Sequence, residues 1–116
     1  MKIILIFVLL FLLTVGNVLG KKSCNPMIVV IGRLAIAKKC NDYNPLRVSE
    51  AMGCTLKVCS QQIRNYNVSA DMKTGFDGGE KVSCDGNDEL YKYMITQYDK
   101  LEKMLIKMKC SFKHSK

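Results

Sequence analysis

Six cysteines, Cys24, Cys40, Cys54, Cys59, Cys84 and Cys110, are the residues of this chain with an evident chemistry. An even number of thiols in a short chain closes into disulfides or holds a metal, and spacing separates the two. Cys54-x4-Cys59 is wider than the usual zinc pair, and the single histidine, His114, stands far from any cysteine cluster. No metal or cofactor is expected, and three disulfides are. Two residues five apart on a helix differ by about 140° around its axis, so Cys54 and Cys59 should bond different partners.

Other reactive side chains are sparse. His114 has Ser115 beside it but no third group to make a catalytic arrangement. Asp88 and Glu89 read as helix-start residues, and Gly78-Gly79 near Asp77 lacks the strand and helix context of a phosphate loop. Asp77, Glu80, Asp85 and Asp88 offer oxygens in a Gly-rich stretch, but their spacing matches no calcium loop. The expectation is a protein without catalytic residues.

Met1–Gly20 has the form of a secretory leader: Lys2, an apolar run from Ile3 to Val15, then Val18-Leu19-Gly20 as the cleavage region. The run is shorter than the roughly 17–25 residues of a membrane-spanning helix. Residues 21–116 are then one secreted, disulfide-rich domain, in the oxidising compartment where such cross-links persist. Eighteen Lys and Arg face ten Asp and Glu, a formal net charge of +8, and only Lys2 of these lies in the leader. That surplus favours encounter with acidic protein faces or anionic surfaces, and export argues against nucleic acid.

Helical periodicity supplies the framework. Asn25-Pro26 is a start signal for a helix to about Lys39, with Met27, Ile28, Ile31, Leu34 and Ala35 on one face. Val29 and Val30 widen its apolar surface, as expected of a central helix; a buried strand over Met27–Ile31 is the alternative. Asn44-Pro45 starts a second helix to about Asn65, with Met52, Leu56, Cys59, Ile63 and Tyr66 on its inner face and Gly53 weakening it. From Asn67 to Asn87, four glycines among polar residues read as a long irregular loop held by Cys84. Within it Asn67-Val68-Ser69 matches an N-glycosylation acceptor. A third helix, capped by Asp85 or Asn87, carries Tyr91, Met94, Tyr98, Leu101, Leu105 and Met108 as a buried stripe.

The expected fold is therefore all-α: a small disulfide-stabilised three-helix bundle with a long Gly-rich loop between helices two and three. Folding the first two helices back about the turn near Tyr43 brings Cys24 level with Cys59, laying the third helix antiparallel to the second returns Cys110 toward Cys40, and Cys54 and Cys84 are left for each other. Lys100, Lys103, Lys107, Lys109, Lys113 and Lys116 make the C-terminal end a basic patch. Together these features favour a secreted basic effector, of the venom-type, salivary or signalling kind, that binds an extracellular receptor, channel or enzyme. The competing expectation is an extracellular carrier of a small hydrophobic ligand. Met27, Met52, Met72, Met94, Met104 and Met108 would supply its adaptable apolar space. The oligomeric state is not legible in the sequence.

Overall fold

The computed structural model describes residues 22–116, and the expected leader, Met1–Gly20, lies outside them. Four helices follow one another: α1 (Asn25–Cys40), α2 (Pro45–Gln62), α3 (Val68–Lys81) and α4 (Glu89–Lys107). All-α is correct, but the bundle has four helices, not three. The expected loop from Asn67 to Asn87 is mostly α3, and only the turn after Lys81 remains irregular.

α1 is the hub, in contact with each of the other three helices. Its breadth of apolar sequence is used on nearly every side: Met27, Val30, Ile31, Ala35, Ile36 and Ala37 are all buried. The helix begins one residue earlier than its Asn25-Pro26 signal suggests. Cys24 is the N-cap, its side chain making no capping bond. Asn41 ends α1 in the left-handed conformation that asparagine tolerates, with φ 52°. α2 starts as expected, the Asn44 side chain accepting from the Leu46 N–H. Its buried face is Val48, Ala51, Thr55 and Cys59. The expected stripe lies to one side of that face, so only Cys59 is shared and Leu56 is left exposed.

The glycines explain α3. Asp71, Gly75 and Gly79 recur every fourth residue and form its buried face. A Cβ on Gly75 would lie 2.6 Å from the Ile28 carbonyl oxygen, and one on Gly79 would lie 2.5 Å from that of Gly32. Residues without side chains at these two positions let the α3 backbone rest directly on α1. Here the glycines make a helix contact; they do not break a helix. Asn67 caps α3 by accepting from the Ser69 N–H, so the glycosylation acceptor sits at a helix start and not inside a loop. α4 is capped by Asp88, which accepts from the Tyr91 N–H; neither Asp85 nor Asn87 fills that place.

The extra helix reverses the direction of everything after it. Cys24 meets Asp71 and Lys39 meets Glu80 and Val82, so α3 runs parallel to α1. Tyr43 meets Glu102, Arg47 meets Glu102 and Cys54 meets Cys110, so α4 runs parallel to α2. The disulfides are Cys24–Cys59, Cys40–Cys84 and Cys54–Cys110, and no cysteine among the described residues is free. The first is the expected pair. The other two correct the expected Cys40–Cys110 and Cys54–Cys84, because α3 turns the chain so that α4 starts beside the Cys40 end and runs parallel to α2.

Candidate binding surface

The titratable residues that face inward form a clamp. Glu102, buried on α4, takes the Arg47 guanidinium in a two-pronged pair at 3.0 Å on each oxygen. Its Oε2 also accepts the hydroxyls of Tyr43 at 2.7 Å and Tyr98 at 2.8 Å. Burial works against ionisation of Glu102, but Arg47 and the two tyrosines outweigh it and hold the carboxyl below its usual range. Burial, then the bond to Glu102, pushes Tyr43 up to about 12 and raises Tyr98 as well. Arg33, almost fully buried on α1, pairs with Asp42 at 3.0 Å and lies over the Tyr43 ring at 4.5 Å. Tyr91 donates to the other oxygen of Asp42. These groups tie α1, α2 and α4 together, and the carboxylate at their centre is enclosed by its donors.

The C-terminal tail extends the clamp. Glu50 of α2 accepts the backbone N–H groups of Lys113 and His114, and Arg47 donates to the His114 carbonyl while stacking over Phe112 at 4.4 Å. Desolvation opposes ionisation of Glu50, but those two N–H groups and the His114 ring hold its carboxyl low. A second inward carboxylate, Asp71, accepts the Cys24 N–H at 2.7 Å and the Tyr66 hydroxyl at 2.6 Å. Burial, then Asp71, raises Tyr66.

All six lysines of the expected basic patch are exposed, and among the described residues none enters an ion pair. The structure divides them. Lys100, Lys103 and Lys107 project from α4, Lys109 sits in the turn that ends it, and Lys113 and Lys116 belong to the tail folded back on α2. Asn67 is exposed, with its Oδ1 engaged in the cap. Asp77 pairs with Lys73, and among the described residues no cluster of three or more His, Cys, Asp or Glu side chains is placed to hold a metal.

Beside its buried stripe, α4 carries a second, largely exposed line. Tyr93, Gln97, Lys100, Met104 and Lys107 step by 4, 3, 4, 3 along the outside of the helix. Tyr93 is 60% exposed and Met104 44%. At the N-terminal end of this line lies a groove of about 360 Å³ between α1, α3 and α4. Ile28 and Val29 of α1, Gly75 and Gly78 of α3, and Leu90, Tyr93 and Met94 of α4 line it. The sequence signal for the outward line, though not for the groove, is the same i, i+3, i+4 spacing, masked by the alternation of lysine with methionine and tyrosine.

Of the six methionines expected to supply apolar space, Met94 lines the groove, Met27 is buried in the core, Met52 is half-buried in α2, and Met72, Met104 and Met108 are exposed. Among the described residues no helix is long and apolar enough to cross a membrane. No protein-family model, curated protein or solved structure matches the chain.

Proposed function

We propose that this chain is a secreted, disulfide-clamped helical module that binds an extracellular protein target through α4, without catalysis. The observation that carries this reading is the outward line Tyr93, Gln97, Lys100, Met104, Lys107, exposed except at the half-buried Gln97, on a helix whose opposite face is core. Exposed aromatic and methionine side chains are enriched at protein-contact surfaces, and unpaired lysines beside them act as rim charges that speed encounter with an acidic partner. Three disulfides fit an oxidising compartment and hold such a face in one geometry before contact, which lowers the ordering entropy of binding. The single histidine, 3.4 Å from Glu50 in the tail, has the surroundings of a tail fastening.

The carrier reading draws on the groove, whose volume is near the low end of the roughly 300–1,000 Å³ of small-molecule sites. Those sites enclose most of their ligand, whereas this one is a trough with Leu90 and Tyr93 exposed on its rim. Native mass spectrometry of material purified from its natural source separates the two. A binding module flies at the mass of the polypeptide and its modifications; a co-purified small molecule supports the carrier. Association with extracellular proteins of the host or target tissue should be saturable and slower at higher salt. Replacing Lys103, Lys107 and Lys113 with Gln should slow it and flatten that salt dependence. Kinetics indifferent to both changes would remove the basic face from the binding surface.

A further inference from the structure

We infer that the groove between α1, α3 and α4 docks an extended acidic segment of the protein partner, with one large apolar side chain seated over Gly75 and Gly78 and carboxylates following it toward Lys100 and Lys107. The inference rests on the reading of the chain as a protein-binding module, and gives that partner a chemistry.

Three features define the occupant. The groove is lined chiefly by apolar side chains of α1 and α4 and by two glycines of α3, its polar groups being Asn25, Thr74, Gln97 and the Tyr93 hydroxyl, none of them charged. It therefore suits a side chain without charge. The groove opens at Gln97 onto Lys100 and Lys107, both exposed and in no ion pair among the described residues. Charge complementarity calls for carboxylates there. At about 1.5 Å per residue, Gln97 to Lys107 spans roughly 15 Å of helix. An extended chain at about 3.3 Å per residue crosses that distance in four to five residues, so the acidic positions fall within about five of the anchor.

The direction is set as well. At the opposite end of α4 the exposed Lys92 is already paired with Glu89 at 3.2 Å, so a segment laid the other way meets no unpaired cation on that stretch of the helix. The remaining carboxylates between Tyr93 and Lys107 are Asp99, which lies off the line, and Glu102, which is buried in the clamp. A polyanion such as a sulfated glycan or an acidic lipid surface could use the lysines, but it has no group to fill the groove.

Gly78 provides a clean test. Its Cβ would meet only Met94 Cε, at 3.9 Å, so a larger side chain there grows into the groove without the backbone collisions found at Gly75 and Gly79. Random linear peptides displayed on phage should be selected on the intact, disulfide-bonded protein. Enriched sequences are expected to share one large apolar residue with two or more Asp or Glu within about five positions. A synthetic peptide of that consensus should bind about tenfold or more weakly to Gly78→Leu, and likewise to the Lys100→Glu, Lys107→Glu double variant. Circular dichroism and thermal melting should be unchanged in both. If Gly78→Leu misfolds, Tyr93→Ser on the exposed rim serves in its place.

Enriched peptides lacking either the apolar or the acidic feature would overturn the inference. So would consensus binding that ignores Gly78→Leu. Binding of heparin or of phosphatidylserine vesicles with no peptide enriched would assign the lysines to a polyanion. A protein target whose association depends on the α4 lysines but not on Gly78 would sink the groove while leaving the binding-module reading intact.

Discussion

The Cβ that alanine would place at Gly79 falls 2.5 Å from the carbonyl oxygen of Gly32, so α3 and α1 meet backbone to backbone. Gly79→Ala and Gly75→Ala should each destabilise the protein by about 1–3 kcal/mol, the usual range for overpacking. Gly53 is the counter-case: it lies inside α2 with nothing within 4 Å of its Cβ position. Gly53→Ala should therefore stabilise by about 0.5–1 kcal/mol through helix propensity and a more restricted unfolded chain. Urea unfolding of the three variants checks all of this. Equal effects at all three sites would show that propensity, and not contact, governs.

The same glycines show how far the sequence could be read. α1, α2 and α4 announced themselves through apolar spacing and start residues. α3 did not, because its packing face is Asp71, Gly75 and Gly79, none of them hydrophobic. Its contact with α1 rests on the absence of side chains, which a search for apolar periodicity passes over. The same omission misdirected two disulfides, since one added helix reverses α4. The lysines of the candidate surface were legible as charge. The groove was not, because it exists only where three helices from distant parts of the chain converge.

The clamp around Glu102 gives the fold an acid limit. Its carboxyl is held below the ordinary value of about 4.3, so its contribution is complete above that value and is lost as pH falls through the folded one. Glu102→Gln should cost about 3–5 kcal/mol near neutrality, because it leaves the largely buried Arg47 guanidinium without its charge partner. It should also flatten the fall in stability on acidification. Some dependence should remain, since Glu50 is shifted in the same direction. Denaturant unfolding of both proteins across the acid range measures the two effects; parallel pH profiles would mean that Glu102 is not the titrating group.

Non-reducing digestion and mass spectrometry should recover Cys54 linked to Cys110 and Cys40 linked to Cys84. Recovery of Cys40 linked to Cys110 would return α4 to the antiparallel course and remove α3 from its place. Replacing Cys54 and Cys110 together by Ser should destabilise by about 2–4 kcal/mol, since this pair closes the longest loop, 56 residues apart in sequence.

Asp71 should be the polar group on which the N-terminal end of the bundle depends. It is buried, and one oxygen, Oδ2, accepts both the Cys24 N–H that begins α1 and the Tyr66 hydroxyl from the link before α3. Tyr66→Phe removes one donor from a buried carboxylate, and should destabilise by about 1–3 kcal/mol. Asp71→Asn weakens both bonds by removing the charge. If the hydroxyl and carboxylate act on each other as their distance implies, the double variant should lose less than the sum of the singles, with a coupling of about 0.5–3 kcal/mol. Tyr66 should also titrate at lower pH in Asp71→Asn, because the charged acceptor that favours its protonated form is gone. Additive stability effects together with an unmoved phenol titration would separate the two residues and leave the Cys24 N–H as the one bond that matters.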